Sequence, residues 1–256
     1  MPDQRIVVLA GPGAPTHILV HYLRSHFPLA GVIMEAPQDK WLLMRRRAQR
    51  IGWMRTAGQV LFLLCAVPML RRASRKRRAA ILRSYGLNEQ ELPETELTRV
   101  GSVNSDETIA AVLALRPDVV VVSGTRIIGQ RVLASVGVPF LNIHAGITPR
   151  YRGIHGVYWA LMNDDGENAG VTVHLVDKGI DTGGIVAQAH VPHTVEDNFT
   201  TYPMLQLSKG LQLLADALRD RTTEDQLHHS RDMDSKLWHH PTLIQYLAGR
   251  WRKGVK

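Results

Sequence analysis

The chain has 256 residues, 45% of them apolar, which is enough for one large domain with a sizeable core, with or without an appendage, and excludes global disorder. One cysteine, Cys65, excludes an intrachain disulfide framework and a cysteine-rich zinc site, and fits a reducing compartment. The formal charge of +8 is unevenly placed: residues 40–88 hold eleven Arg, two Lys and no Asp or Glu, so that segment carries +13 and the remainder −5, which excludes a uniformly basic protein.

In chain order, Ile6–Ala10 is a continuous apolar run ending in Gly11-Pro12-Gly13, with a helix expected over Thr16–His26. A buried strand feeding a Gly-rich turn and a helix is the opening expected of a doubly wound α/β domain, and no secretory leader pattern precedes it. Helix N-termini bind anions, but Pro12 and Pro15 remove two amide donors, so a phosphate cradle here is disfavoured. Ala30–Met34 is a second strand.

The basic insert follows. Arg45, Arg46, Arg47 and Arg50 alternate with Trp41, Leu42, Leu43 and Trp53, then comes the apolar run Val60–Leu70, then Arg71-Arg-Ala-Ser-Arg-Lys-Arg-Arg78 leading into a helix. The apolar run falls short of the roughly 20 residues that span a bilayer. Basic residues flanking an apolar, Trp-containing helix fit an interfacial helix on an anionic membrane, the possible partner for residues 40–88. A solvated helical excursion packed on the body weighs equally, and contact with nucleic-acid phosphates weighs less, so nucleic acid is not an expected partner. Cys65, inside the apolar run, is expected to be buried and inert.

Further on, Arg99–Val103 is a short strand. Asn104 is the expected N-cap of a helix with Glu107 in its first turn, stopping at Arg116-Pro117. Asp118–Val122 contains four consecutive valines, a buried strand that ends in Ser123-Gly124-Thr125-Arg126. Ile127–Ser135 and Ile154–Asn163 read as helices, Gly170–Val176 and Gly184–Val191 as alternating strands. Met204, Leu207, Leu211, Leu214 and Leu218 recur at helical spacing, as on a face packed against a core. Strands alternating with helices define an α/β fold with a mostly parallel sheet and helices on both faces, plus the basic helical insert and a helical C-terminal tail. Residues 1–195 form the expected α/β domain and 196–256 the helical extension. His239 and His240 in the tail point apart and bring no carboxylate motif, so no metal site is expected.

Chemistry gathers at residues 139–153. Asn142 and His144 are two apart in an extended run, so both side chains point to one side. Gly146, Pro149 and Gly153 then open a loop, and a second Gly-rich turn carries Asp181. In open α/β sheets ligands bind beyond the carboxyl ends of the strands, where these segments are expected. Carboxamide, imidazole and carboxylate suit acyl transfer between nitrogens. Asn142 can donate to a developing oxyanion, His144 can donate or move a proton, and Asp181 can hold the imidazole, position a water or accept the proton of the amine.

The whole pattern, Asn142-Ile-His144 with Pro149 and Gly153, then Gly170-Val-Thr-Val-His174, then Gly179-Ile-Asp181-Thr-Gly-Gly184, resembles the folate-dependent formyltransferases: the glycinamide ribonucleotide, methionyl-tRNA and sugar N-formyltransferases. The resemblance implies a Rossmann-like fold, 10-formyltetrahydrofolate as formyl donor and Asn142, His144 and Asp181 as catalytic residues. It also implies a pterin pocket lined by Ser123, Gly124, Thr125, Arg126, Ile127, Ile128, Asp177, Gly179 and Ile180. It is specific over about residues 118–191 and loose over 1–35, with no counterpart seen for 40–88 or the tail. Ala145-Gly-Ile-Thr148 departs from the family's loop after the His, and Ala14-Pro15 from the phosphate loop of the glycinamide ribonucleotide enzymes. The 65 residues after Val191 read as helical, unlike the β-barrel that follows in the tRNA enzymes.

The expectation is therefore formyl transfer to the amine of a small anionic acceptor, such as a nucleotide-linked amino sugar. A formyltetrahydrofolate hydrolase and a non-catalytic folate-binding or membrane-surface protein are the alternatives. A cytoplasmic setting is expected, with a peripheral seat on the inner membrane face as its extension, and an oligomer is compatible with the sequence.

Overall fold

Three short apolar runs build the middle of the sheet, and the chain order around them fixes where a ligand can sit. The computed structural model describes residues 4–221 and 234–256; residues 1–3 and part of the tail, 222–233, lie outside the described residues. Strand β1 (Ile6–Ala10) leads through Gly11–Gly13 into α1 (Ala14–Arg24) and β2 (Leu29–Glu35). The basic insert is α2 (Lys40–Ile51), α3 (Trp53–Leu61), a wide π-helical turn at Phe62–Ala66, α4 (Val67–Ala73) and α5 (Arg75–Ser84). Then come β3 (Thr98–Val100), α6 (Asp106–Ala114), β4 (Val119–Ser123), α7 (Gln130–Val136) and β5 (Phe140–His144). The rest is β6 (Arg152–Gly153), α8 (Gly156–Met162), β7 (Gly170–Leu175), β8 (Ile185–His190), α9 (Tyr202–Asp220), β9 (Leu237–Trp238) and α10 (Leu243–Lys253).

Seven strands pair in the order β3-β2-β1-β4-β5-β7-β8, the first five parallel and the last two joined antiparallel. This is the mostly parallel Rossmann-like sheet expected. The order reverses between β1 and β4, the switch point at which such sheets leave a crevice for ligands. β1 and β4 are buried on both faces, which is why they read as unbroken Val/Ile/Leu runs without alternation. On one face Ile6, Val8 and Val121 pack with Leu19 of α1 and Leu211, Leu214 and Leu218 of α9. On the other, Val7, Leu9 and Val120 pack with Val112 of α6 and Val132 of α7. Each such side chain contributes about 1.5–3 kcal/mol by leaving water. α9 thus lies across β5, β7 and β8 and shares their core.

A third apolar cluster lies under the insert: Phe62, Val67, Leu70 and Ile81 meet Tyr158, Phe199 and Tyr246. Phe62 meets Phe199 edge-on at a ring separation of 4.8 Å, and Tyr246 of α10 at 5.0 Å. The insert is therefore bolted to the body by one face. Its polar fastenings include the pair of hydrogen bonds, 2.8 Å each, from Arg77 to the fully buried carboxylate of Asp197, and the bond from Asn198 Nδ2 to the Ser74 hydroxyl. Burial opposes ionisation of Asp197, and the Arg77 guanidinium with the Thr194 donors holds its carboxyl below its ordinary value.

Several local expectations change. Ser105, not Asn104, caps α6, its hydroxyl accepting from the Thr108 amide at 3.2 Å. Asn104 instead accepts from the Gly129 amide at 2.6 Å and donates to the Ile127 carbonyl at 2.9 Å. Ile127–Gly129 is thereby held as loop, and the helix expected from Ile127 begins at Gln130. Cys65 is exposed, because it falls on the face of the helical run opposite Phe62 and Ala66. α3, the π turn and α4 join into one helical run, Trp53–Ala73, whose 21 residues are long and apolar enough to cross a membrane, where the apolar stretch in the sequence is shorter. Pro68, which lacks an N–H, interrupts the regular ladder beside the wide turn.

Candidate functional site

The site forms where β5 ends beside β7. Cross-strand register sets Asn142 opposite His174 and His144 opposite Thr172, so these four side chains share one face of the sheet. Asp181 reaches them from the turn between β7 and β8, with the positive φ of 52° that aims its carboxylate back at the strands.

Asp181 Oδ2 lies 3.2 Å from His144 Nδ1 and accepts from the Gly153 amide at 2.9 Å. Its Oδ1 lies 3.6 Å from His174 Nε2. Burial works against the charge on Asp181, yet the hydrogen bond from His144, the nearness of its ring and the Gly153 amide hold its carboxyl far below the ordinary range. It is a fixed negative charge at every pH of interest. The other nitrogen of His144, Nε2, donates to the Tyr151 carbonyl at 2.7 Å. Both ring nitrogens therefore face oxygen atoms, which hold the ring from two sides. Tyr151 is itself anchored, its hydroxyl donating to Asp165 at 2.7 Å. Burial and that bond push the phenol up to about 12, so it remains a donor.

His174 was visible in the sequence pattern but had no assigned role. Its Nδ1 donates to the Leu175 carbonyl at 2.7 Å, which leaves Nε2 as the acceptor for Asn142 Nδ2 at 3.2 Å. That bond fixes the carboxamide with nitrogen towards His174 and leaves its second N–H for a ligand. Thr172 steadies the loop after His144, donating to the Gly146 carbonyl at 2.7 Å and accepting from the Thr148 amide at 3.1 Å. Gly146 is sterically required: a Cβ there would stand 2.3 Å from the Tyr151 carbonyl oxygen and 2.9 Å from His144 Nε2.

Two cavities meet at Asn142. The larger, about 440 Å³, is within the size range of small-molecule sites, roughly 300–1,000 Å³. Its walls are Gly124–Ile128 on one side and Asp177, Gly179 and Ile180 on the other, with His144, His174 and Asp181 at its floor. The structure thus brings eight of the nine residues expected around the pterin to one cavity. Ser123 is the exception. It lies on the other side, its hydroxyl 3.3 Å from that of Thr16, in the wall of the second cavity of about 240 Å³. That second space opens at the sheet's switch point between Ala14, Pro15 and Ile18 of α1 and Met204 and Leu207 of α9, with Arg78 of α5 as its cation. Arg78 also pairs with Glu89.

Sequence reasoning missed what holds the walls. Glu35, buried at the end of β2, accepts from the Arg126 amide at 2.7 Å and the Val103 amide at 3.2 Å, and pairs with the Arg126 guanidinium. Its one signal was a charged residue closing an apolar strand. Asp177 turns inward to accept from the Gly179 amide at 2.9 Å and the Thr182 hydroxyl at 2.7 Å, so it shapes its turn. Among the described residues no cluster of His, Cys, Asp and Glu could hold a metal ion. His240 meets His155 instead, Nδ1 to Nε2 at 3.0 Å.

A mostly parallel sheet with a crevice at its switch point, and an amide, two imidazoles and a carboxylate where two cavities join, make up the candidate site of an α/β protein. The chain belongs to the formyl transferase family, whose model matches residues 45–218. The match takes in most of the insert, for which the sequence showed no counterpart. A methionyl-tRNA formyltransferase of Chlorobium chlorochromatii is 33% identical over 120 residues, 47% of this chain and 38% of that relative. One from a Synechococcus is 37% identical over 113 residues, 44% of this chain and 35% of the relative. The matched stretch is thus under half the length of these curated relatives. Among solved structures, a sugar N-formyltransferase from Shewanella shares the fold at a TM-score of 0.56 and 18% identity, over 96% of this chain and 86% of that one. A phosphoribosylglycinamide formyltransferase from Streptococcus pneumoniae does so at 0.51 and 19%, over 86% and 99%.

Proposed function

We propose that the protein transfers a formyl group from 10-formyltetrahydrofolate to the amine of a small acceptor carrying an anionic group, an amino sugar on a nucleotide or another anionic carrier being the kind that fits. The observation that carries this is the meeting of two cavities at Asn142, with His144, His174 and Asp181 on one side of it. The 440 Å³ cavity suits the donor: apolar Ile127 and Ile128 can face a flat ring, and the backbone of Gly124–Ile128 and Asp177–Ile180 supplies amide and carbonyl groups for a pterin edge. When bound, the folate supplies the formyl carbon. The 240 Å³ space suits the amine, with Arg78 for an anionic group.

Asn142 then acts with its free N–H, donating to the formyl oxygen as negative charge grows there. The bond to His174 means that this donor is already aimed. His144, clamped between Asp181 and the Tyr151 carbonyl, places a proton-bearing ring in the larger cavity beside Asn142. Asp181 offers Oδ1, 3.6 Å from His174 Nε2, to orient the amine or a water that carries its proton away. Its strongly lowered pKa makes it an orienting charge in preference to a proton store.

The test is formyl transfer from 10-formyltetrahydrofolate to a panel containing nucleotide-linked amino sugars, glycinamide ribonucleotide, simple amines and aminoacyl-tRNA. Turnover with an amino sugar should fall about 10²–10³-fold in Asn142→Ala, and by orders of magnitude in His144→Ala and Asp181→Ala. Unchanged turnover in all three variants would sink the assignment of the site. Preferred turnover of tRNA, or release of formate without an amine, would sink the acceptor.

A further inference from the structure

The helical run Trp53–Ala73 is apolar on both sides, and only one side is used. Phe62, Ala66, Val67 and Leu70 face the core. The opposite face presents Met54, Leu61, Leu64, Cys65 and Met69 to solvent, with Met54 91%, Leu64 69% and Met69 73% exposed. α10 packs on α3 and the π turn through Tyr246 and leaves its own stripe open, Ile244, Leu247 and Trp251 at i, i+3 and i+7, the tryptophan 85% exposed. α2 adds Trp41, Leu42 and Leu43, all exposed. A soluble surface rarely leaves so much apolar side chain on neighbouring helices uncovered without a partner.

Charge says which partner. The stripe is framed by Arg45, Arg46 and Arg50 before it, by Arg55 in its first turn and by Arg71, Arg72 and Arg75 after it, all exposed, and the segment 40–88 has no acid. Among the described residues only Arg77 and Arg78 of its eleven arginines form ion pairs with carboxylates. A second copy of this chain would bring its own cations against these, at a cost in repulsion. Nucleic acid would answer the charge but leave the leucines and methionines uncovered. An anionic lipid surface satisfies both, with phosphates for the arginines, acyl chains for the stripe and the headgroup boundary for the tryptophans.

We propose that this face docks the protein on an anionic bilayer as a monotopic element, the Met54–Met69 stripe sunk to the acyl boundary. The helix does not span, because its other face is committed to Phe199, Tyr158 and Tyr246. α5, which follows directly, carries Arg78 in the wall of the smaller cavity, so the docked protein holds that cavity close to the lipid surface. The docking rests on the surface alone and stands or falls independently of formyl transfer.

Cys65 makes the test direct, since the only cysteine of the chain lies exposed in the stripe. The full chain is labelled there with an environment-sensitive fluorophore and mixed with vesicles of phosphatidylcholine alone or with phosphatidylglycerol. The expected result is a blue-shifted, brighter emission with the anionic vesicles only, quenched by a nitroxide placed high on the acyl chain. Co-sedimentation of unlabelled protein should fall by about tenfold or more in the triple variant Leu61→Glu, Leu64→Glu, Met69→Glu, whose positions are all exposed, and should weaken as salt rises. Unchanged thermal unfolding of that variant separates lost docking from lost folding. Three results overturn the proposal: no vesicle binding, binding in which the label is not quenched by the acyl nitroxide, or a lipid-free emission change that follows protein concentration together with a doubled mass.

Discussion

His174 shows how a residue outside the obvious triad can set its geometry. Asn142 has two N–H groups and one carboxamide oxygen, and nothing in its own strand decides which way the amide faces. The Nε2 lone pair of His174, made available by the bond from Nδ1 to the Leu175 carbonyl, decides it. His174→Ala should therefore lower kcat about tenfold to a hundredfold through a mis-aimed oxyanion donor, with less change in the KM of the folate. His174→Gln, whose side-chain oxygen can accept from Asn142, should restore part of the loss. Steady-state kinetics of the two variants beside Asn142→Ala checks this, and equal kcat in all of them and wild type would refute it. Alternation alone put Asn142 and His144 on one side of a strand, and the Gly-rich turn marked Asp181. His174 was legible as a member of the pattern, but its role depends on a cross-strand register that no spacing along one chain specifies.

Among the elements, the loop after β4 depends on a residue far from it in sequence. Glu35 closes β2, and its buried carboxylate accepts the Arg126 and Val103 amides. Asn104 holds the other end of the loop through Gly129 and Ile127. Glu35→Ala leaves two buried amides without acceptors, which costs about 1–3 kcal/mol for each group left unpaired. The variant should show a lower urea midpoint and a raised KM for the folate donor, because Gly124–Ile128 line its cavity. Retention of both values would show that the loop holds itself. The central strands were legible because buried parallel strands are unbroken apolar runs, and their ends were read to within a residue; the edge strand expected over Arg99–Val103 is Thr98–Val100 and ends three residues sooner, where burial gives no such run. The start of α7 was not, because Ile127 and Ile128 look helical until the Asn104 side chain claims Gly129 and Ile127. Exposure of Cys65 was not legible either. A helix apolar on both sides carries no pattern that says which face meets the core; Phe199, Tyr158 and Tyr246 choose it.

At the scale of the whole molecule, the insert, α8 and the tail are joined through a buried contact with a pH dependence of its own. β9 pairs with β6, which brings His240 onto His155. His240 also offers its carbonyl to Gln59 of α3 at 2.6 Å, and the His155 ring packs on Phe199 at 4.1 Å. Burial lowers both imidazoles, His155 to about 3 and His240 to about 4. The other ring lowers His155 further, while Arg47 and His239 act on His240. Both are held neutral in the fold, whereas in the unfolded chain they take up protons near pH 6.5. Their contribution is fully present above about pH 6.5 and is lost as pH falls towards 4 and 3, since over that window the unfolded state binds protons that the fold refuses. The loss has a ceiling of about 1.4 kcal/mol per pH unit for each such proton. Asp181 and Asp197 add a second loss with the same sign, beginning where free carboxylates titrate, about pH 4, and continuing below it. Urea midpoints measured from pH 7.5 down should thus decline in two stages. His240→Gln, which keeps a polar side chain beside His155 but has no imidazole, should make the upper stage shallower, with His155 still contributing, and leave the lower one. A wild-type midpoint that stays level between pH 6.5 and 4.5 would mean that this junction opens to admit the proton while the Phe62 cluster, the Arg77–Asp197 pair and the Asn198–Ser74 bond keep the insert in place.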